Sequence, residues 1–217
     1  MTMAGLVMLG CGGHARVVLD AAASVGSQVI GCIAPTGPDA AWPGDIPWLG
    51  GDDRLEDLDP AAIRLLNGLG SAGSTARRRR VFDHAASLGF RFEGLRHPAA
   101  WVSGKADIDA TALLMAGCIV QSHATIAQNA LINSGALVEH DCEIGAHAHV
   151  ASRAALAGGV RVGEGAHVGL NASVREGVRI GANAVVGAGA VVIADVEEGT
   201  TVVGSPARSV RDRSVSE

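Results

Sequence analysis

One histidine of the sequence stands between two acidic residues, in the segment Glu139-His140-Asp141. An imidazole flanked by carboxylates is suited to general-base catalysis, because neighbouring negative charge favours uptake of a proton by the ring. Such assistance is typically worth about 10²- to 10⁴-fold in rate. We therefore take His140 as the first candidate catalytic residue.

A glycine-rich turn, Gly10-Cys11-Gly12-Gly13-His14, is the second place where chemistry is expected. It follows the apolar run Leu6–Leu9, and apolar residues then recur at helical spacing from Ala15 to Val25. A turn that opens a helix presents free backbone N–H groups and the positive end of the helix dipole. It predicts a cradle for a nucleotide diphosphate, with a purely structural turn as the alternative. The candidate substrate-binding residues are Gly10, Cys11, Gly12, Gly13, His14 and Arg16.

The same turn also fits the relaxed NAD fingerprint, in which a second strand must end in an acid that holds a ribose hydroxyl. Here the predicted second strand, Gln28–Ile33, is followed by Ala34-Pro35. NAD binding is therefore the weaker alternative. For His14, the alternative to a contact with phosphate or sugar is an exposed or helix-capping side chain.

The rest of the N-terminal half continues the α/β pattern. Asp45–Asp53 is predicted to be a loop that closes over the turn, with a helix beginning near its end. Ala62–Leu66 predicts a third strand and Thr75–Leu88 a second helix, in which the basic run Arg77–Arg80 is expected to face solvent. Residues 1–97 are thus predicted to form a small Rossmann-like parallel-sheet domain.

The second half carries an uninterrupted repeat of six residues. From Val102 to Val192 every sixth residue is aliphatic, and four places later stands a small residue, usually Ala, with Cys118 and Cys142 at two of these positions. A period of six fits neither a helix nor a strand and is typical of a parallel β-helix of triangular section, with three hexads in each coil of about 18 residues. Residues 98–217 are predicted to be this β-helix with a C-terminal tail.

The coil length predicts which residues stack on each other. Gly158 lies one coil beyond His140, where a bare glycine would admit a ligand and its N–H could serve as an oxyanion donor. His149 and His167 are also one coil apart, and we expect them to stack on a corner as a ligand-binding edge or as a solvated ladder. His147 and His149, with His140 or His167, leave open a zinc site between subunits.

Composition and charge narrow the classes of partner. The net charge of −5 gives no electrostatic reason to expect nucleic acid or an anionic membrane as a partner. The four cysteines have no C-x-x-C spacing and are expected to be reduced, buried thiols. Neither a basic leader followed by an apolar segment nor a membrane span is evident, so we expect a cytoplasmic protein.

Five segments of the sequence carry a family resemblance: Gly10–His14, Ile46–Asp52, His97–Ala99, Asn133–Cys142 and Val203–Arg208. Together they resemble the sugar acyltransferases of the sialic acid O-acetyltransferase subfamily. The resemblance is greatest to N-acetyltransferases that act on nucleotide-linked 4-amino-4,6-dideoxy sugars. It implies a nucleotide-sugar-binding domain in residues 1–97, a left-handed β-helix, a homotrimer with active sites between adjacent solenoids, acetyl-CoA as co-substrate and no metal.

The resemblance also implies roles for individual residues. His140 would be the base that acts on the sugar amine, Asp141 would orient it, and the Gly158 N–H would hold the thioester carbonyl. The glycine-rich turn would hold the nucleotide diphosphate. The residues implied to contact coenzyme A are His149, Gly158, His167, Leu170, Ala188 and Pro206.

The identity of the nucleotide is inferred from one departure. Relatives that use UDP-sugars carry an Asp pair after the second strand, where this chain has Ala34-Pro35-Thr36, so another base is favoured and GDP-perosamine is the preferred acceptor. We expect direct attack without an acyl-enzyme, because no Cys or Ser stands at nucleophile spacing beside His140. The alternatives are a UDP-linked amino sugar, O-acetylation, an NAD oxidoreductase, a trimeric zinc hydratase and a non-catalytic solenoid.

Overall fold

The computed structural model describes residues 5–210. The elements of its N-terminal part are β1 (Gly5–Leu9), α1 (Gly13–Ser24), β2 (Val29–Ile33), β3 (Trp48–Gly50), a 3₁₀ helix (Asp52–Asp57), β4 (Ile63–Asn67), α2 (Ala76–Ser87) and β5 (Arg91–Phe92). The strands form one parallel sheet in the order β3-β2-β1-β4-β5. The central strand β1 contributes four buried residues, which form apolar cores with α1 on one side of the sheet and α2 on the other. The predicted β1, β2, β4, α1 and α2 are confirmed, with small shifts at their ends, whereas β3 and β5 were not predicted.

The segment Asp45–Asp53 does not close over the glycine-rich turn, so that prediction was wrong. Its Trp48–Gly50 part adds an edge strand to the sheet, because the Cys32 N–H donates to the Pro47 carbonyl at 2.9 Å and the edge continues alongside β2. The Trp48 indole N–H then donates to the Ala34 carbonyl at 3.1 Å. These hydrogen bonds hold the segment alongside β2, as the edge strand of the sheet.

From Leu95 onward, short strands stack into three further sheets, and from Leu95 to Val192 paired strands are parallel and 18 residues apart, as Leu137 pairs with Ala155. The first face holds β7 (Trp101–Val102), β10 (Ile119–Val120), β13 (Leu137–Val138), β16 (Ala155–Leu156), β19 (Ser173–Val174) and β22 (Val191–Val192). The second face holds β8 (Asp107–Ile108), β11 (Thr125–Ile126), β14 (Glu143–Ile144), β17 (Arg161–Val162) and β20 (Arg179–Ile180). The third face holds β6 (Leu95–Arg96), β9 (Leu113–Leu114), β12 (Leu131–Ile132), β15 (His149–Val150), β18 (His167–Val168), β21 (Val185–Val186), β23 (Thr201–Val203) and, antiparallel to β23, β24 (Arg208–Ser209).

The hexad pattern accounts for the interior of this β-helix. The second residue of each strand from β7 to β22 points inward, and from Leu114 onward these aliphatic side chains are buried together with the small residues four places later. Burying one such side chain is worth about 1.5–3 kcal/mol. All four cysteines, including the inward Cys118 and Cys142, are buried and free. The β-helix prediction is confirmed by these sheets.

The corners of the prism require an unusual backbone. One residue in most turns has a φ near +60°, for example 60° at Asp141 and 52° at Asn129. Only Gly, and less readily Asn, Asp and His, adopt this left-handed region at low cost. The backbone geometry of the corners therefore accounts for the frequent Gly, Asn, Asp and His in these turns, without any appeal to function.

The two parts pack through the third face. Leu113 and Leu131, which point outward from that face, are buried against α1 residues such as Ala15 and Leu19. Because β6 already belongs to the third face, strand pairing begins at Leu95; the division at residue 97 stays a prediction. Within residues 5–210, α1 and α2 have 12 residues each, and no helix there is long and apolar enough to cross a membrane.

Candidate functional site

A cavity of about 440 Å³ lies at the glycine-rich turn, where the carboxyl ends of β1, β2 and β4 meet the start of α1. Gly12 precedes the first turn of α1, which has neither a capping side chain nor an acidic residue. The first amide groups of the helix are therefore free to bind an anion. Gly10 has a φ of 95°, which explains why the turn begins with glycine. The lining residues include all of Gly10–His14, together with Ala34–Asp39, Gly68–Gly70 and Arg77.

His14 lies in the wall of this cavity. Its Nε2 atom is buried and, among the described residues, has no hydrogen-bond partner. Burial, assisted by the charge of Arg78, lowers the pKa of His14 to about 4, so the ring is neutral near neutral pH. A buried ring nitrogen without a partner is unfavourable. A bound polar group would supply the missing partner.

Arg16 does not point freely into the cavity. Its Nη1 atom lies 2.9 Å from Oδ1 of Asp39, which also accepts the Ala41 N–H at 2.9 Å. That backbone hydrogen bond, followed by the Arg16 contact, holds the pKa of Asp39 below its usual range. Asp39 lines the cavity and was missed in the sequence because it follows β2 only after the intervening loop 34–38.

Within the basic run Arg77–Arg80, Arg77 and Arg80 are exposed as predicted, but Arg78 is not, so the prediction was wrong for that residue. Arg78 is 0% exposed; its Nη1 donates to two carbonyls at the end of β4 at 2.8 and 2.9 Å. Its remaining N–H groups face the Asn129 carbonyl at 3.4 Å, so α2 is fastened to the β-helix. Arg79 adds an ion pair with Glu164 at 2.6 Å. Burial lowers the pKa of Arg78 to about 9.

His140 occupies the corner between the first and second faces. Its Nδ1 atom lies 2.8 Å from Oδ2 of Asp141, leaving Nε2 as the free ring nitrogen. This hydrogen bond is the main reason that the pKa of His140 is raised above its ordinary value. The ring lies over Gly158, where a Cβ would stand only 2.5 Å from Cε1 of His140. The coil length predicted this stacking correctly.

His149 and His167 lie on the third face, in β15 and β18, rather than on a corner. They are only 3% and 7% exposed, so the solvated ladder was wrong. The Ser71 hydroxyl lies 2.6 Å from Nδ1 of His149 and 3.3 Å from Nδ1 of His167, and Asn133 Nδ2 lies 3.1 Å from Nε2 of His149. Burial lowers the pKa of both rings. The outward leucines in the same column, such as Leu131, were the available signal of a covered face.

The other predicted coenzyme residues lie near one end of the third face. Leu170 and Ala188 are in successive coils at the corner after that face, where the Gly189 N–H donates to the Leu170 carbonyl at 2.8 Å. Leu170 is 54% exposed. Pro206 lies in the turn between β23 and β24, which extend the same sheet.

Comparison with known proteins agrees with this architecture. Residues 5–85 match the PglD N-terminal domain, and residues 159–194 match the hexapeptide repeat of succinyl-transferase. The structure of PerB from Caulobacter crescentus, in complex with CoA and GDP-perosamine, is 35% identical, with a TM-score of 0.87 and coverage of 97% of this chain and 99% of that one. The chain belongs to the hexapeptide-repeat sugar acyltransferases.

A second similar structure has an acyl donor bound. The acetyltransferase domain of PglB from Neisseria gonorrhoeae FA1090, in complex with acetyl coenzyme A, is 31% identical to this acyltransferase, with a TM-score of 0.85 and coverage of 95% of this chain and 99% of that one. No curated protein sequence matches the chain.

The predicted site residues of this acyltransferase form two groups. The cavity and the coenzyme candidates other than Gly158 lie on or beside the third face, whereas His140, Asp141 and Gly158 lie on the opposite corner, between the first and second faces. One chain therefore does not bring the predicted base to the predicted substrates. In the part of the chain from 5 to 210, no three His, Cys, Asp or Glu side chains are arranged to share a metal ion.

Proposed function

We propose that the chain is an acetyl-CoA-dependent N-acetyltransferase acting on the 4-amino group of a nucleotide-linked 4-amino-4,6-dideoxyhexose. The observation that carries the proposal is the arrangement of His140, with Asp141 on one ring nitrogen, over the bare backbone of Gly158. An acyl transfer to an amine needs a base for the amine proton and a donor for the developing oxyanion. This corner supplies both.

The reaction follows from the two free groups at the corner. The sugar amine attacks the thioester carbonyl, and Nε2 of His140 takes the proton that the nitrogen loses. The Gly158 N–H, which makes no backbone hydrogen bond in the described chain, stabilises the oxyanion. The tetrahedral intermediate then collapses, the carbon–sulfur bond breaks, and the thiolate takes the proton from Nε2 of His140 and leaves as coenzyme A. No acyl-enzyme forms on this path.

The acceptor binds in the cavity at the glycine-rich turn. The free amide groups at the start of α1 suit a diphosphate, and the unpartnered Nε2 of His14 suits a polar group of the same ligand. GDP-perosamine is favoured, because a relative 35% identical over nearly the whole chain was solved with that sugar nucleotide. The segment Ala34–Thr36, which lacks the acids of UDP-sugar enzymes, points the same way.

The active enzyme is a homotrimer of left-handed solenoids in this proposal. A complete site needs His140 of one copy beside the third face of another, since the two lie apart in one chain. The first face offers the contact: its outward column begins with Trp101, Ile119 and Leu137, of which the first two are 53% and 37% exposed. Apolar side chains in a row on an open face favour a protein partner. A second copy supplies the partner that the divided site requires.

Acetyl-CoA binds along the third face and its following corner, near Leu170, Ala188 and Pro206. Between His149 and His167, only His167 retains a ring nitrogen without a partner among the described residues, so His167 makes the direct contact and His149 supports it. No metal takes part. The four reduced thiols fit a cytoplasmic enzyme.

The test is release of coenzyme A thiol from acetyl-CoA with GDP-perosamine, with a UDP-linked 4-amino-6-deoxy sugar and without acceptor. Turnover with the GDP-sugar alone is expected. Turnover only with the UDP-sugar would overturn the choice of base, and acetylated enzyme on rapid quench would overturn direct attack. The H140A variant should lose about 10²-fold in kcat, whereas H84A, which removes an exposed histidine of α2, should not.

A further inference from the structure

A continuous chain of polar side chains crosses the contact between the N-terminal domain and the β-helix. It runs from Asn133 to His149, from His149 to Ser71 and from Ser71 to His167, with separations of 3.1, 2.6 and 3.3 Å. Ser71 directly follows Gly68–Gly70, which line the nucleotide cavity. The chain therefore connects the cavity wall to the face proposed to bind the coenzyme.

Asn133, at one end of this chain of hydrogen bonds, fixes the direction of every hydrogen bond in it. The side-chain oxygen of Asn133 accepts the Ser134 N–H at 2.8 Å, so its NH₂ group is turned toward His149. An NH₂ group can only donate. Nε2 of His149 must therefore carry a lone pair, and a neutral His149 must carry its proton on Nδ1.

The middle of the chain transmits this constraint. With its proton on Nδ1, His149 donates to the Ser71 oxygen, so the single O–H of Ser71 is left to donate onward. Its acceptor is Nδ1 of His167. A neutral His167 must then carry its proton on Nε2, the ring nitrogen that has no partner among the described residues.

We propose that Asn133 and Ser71 are positioning residues that hold His167 in its Nε2–H form, as a directed hydrogen-bond donor for a carbonyl oxygen of the acyl coenzyme. The ligand class follows from chemistry, because an N–H donor on a nearly buried ring needs an acceptor, and the pantetheine amides and the thioester are acceptors. The coenzyme role rests on the proposed function; the direction of the chain does not.

The test of the direction is ¹⁵N NMR of histidine-labelled full-length protein, which distinguishes the two neutral tautomers. We expect His149 as the Nδ1–H form and His167 as the Nε2–H form. The N133D variant replaces the donor by an acceptor of the same size, so it should reverse the chain and convert His167 to the Nδ1–H form two hydrogen bonds away. Finding His167 as Nδ1–H in the unmodified protein, or unchanged in N133D at a pH where the spectra show His149 to be neutral, would overturn the proposal.

His147 is an internal control in the same spectra. Its Nδ1 lies 2.9 Å from the NH₂ of Asn129, whose oxygen accepts from Asn67 at 3.0 Å, so His147 should remain Nε2–H in every variant. A change at His147 in N133D would indicate general rearrangement and would overturn the interpretation of a single directed chain.

The coenzyme role is tested kinetically with S71A. Losing one hydrogen bond of this kind should raise KM for acetyl-CoA about threefold to tenfold with little change in kcat. Ser71→Thr, which keeps the hydroxyl, should restore KM, and S87A, which removes an exposed serine at the end of α2, is the matched control. An unchanged KM in S71A would overturn the coenzyme role. Absence of turnover by the unmodified enzyme would instead remove the proposed function and leave the tautomers to be judged by NMR.

Discussion

Replacing Gly158 by alanine should separate the chemistry of the catalytic corner from its stability. A Cβ at this position would stand 2.5, 2.6 and 3.2 Å from Cε1, Nε2 and Nδ1 of His140. Such approaches are far inside van der Waals contact, so one group must move. The imidazole is the group that moves, because its side chain is 58% exposed whereas Gly158 belongs to a stacked coil.

The expected cost falls on turnover. Displacing the ring breaks its 2.8 Å hydrogen bond to Asp141 and moves the base away from the amine, while the new methyl group occupies the space over the proposed oxyanion donor. Loss of general-base assistance costs about 10²-fold at the low end, appropriate for an amine that is partly neutral near neutral pH. We therefore expect kcat of G158A to fall about 10²-fold, and the free energy of unfolding to change by less than about 1 kcal/mol.

The assay combines steady-state kinetics with thermal unfolding of G158A, H140A and the double variant. If Gly158 acts mainly by leaving room for the ring, G158A should cost much less in the H140A background. G104A is the matched control: Gly104 holds the same turn position three coils earlier, and a Cβ there would meet nothing within 4 Å. Full activity of G158A, or additive losses in the double variant, would refute the reasoning.

Three further outcomes are expected. The hydrogen bond to Asp141 raises the pKa of His140, so the ring becomes protonated and cannot act as a base once the pH falls below that raised value. D141N removes the effect and should shift the acidic limb of the kcat/KM profile to lower pH, as measured in a pH series. Replacing the buried Arg78 by alanine leaves three carbonyl groups without their hydrogen-bond donor. It should lower the free energy of unfolding by about 3 kcal/mol in a denaturant titration, whereas R80A should change that free energy little. Trp101→Glu should break the first-face contact, so sedimentation should show monomers and thiol release should stop; a fully active monomer would contradict the divided site.

The β-helix could be predicted in detail because its period is imposed by geometry. A side chain such as Val138 or Cys142 has one possible direction once the hexad phase is known, and the left-handed turn residue explains Asp141 without any alignment. The stacking of His140 on Gly158 followed from the coil length alone. The first strand, turn and helix of the N-terminal domain could also be predicted, because their apolar residues follow regular spacing.

Three of the errors have a common physical origin: they concern what packs against a surface whose direction was known. The sequence period shows that His149 points outward, but not that the loop carrying Ser71 covers it. A run of four arginines on one helix resembles a solvated face, and only the carbonyls offered by β4 and the Asn129 corner make Arg78 a buried donor. Asp39 was missed for the same reason, since loop 34–38 determines where its carboxylate lies.

The outward columns of the three faces support the first face as the contact surface of the proposed trimer. The second face presents charged residues, including the pair Arg161 and Glu143 at 3.2 Å, which are well placed in solvent. The third face is covered by the N-terminal domain over Leu113–His167. Among residues 5–210, only the first face leaves an apolar column open, and His140 lies at the edge of that face. In the proposed trimer, a copy bound to this face would lie next to His140, and one contact would then both cover the apolar column and complete the divided site.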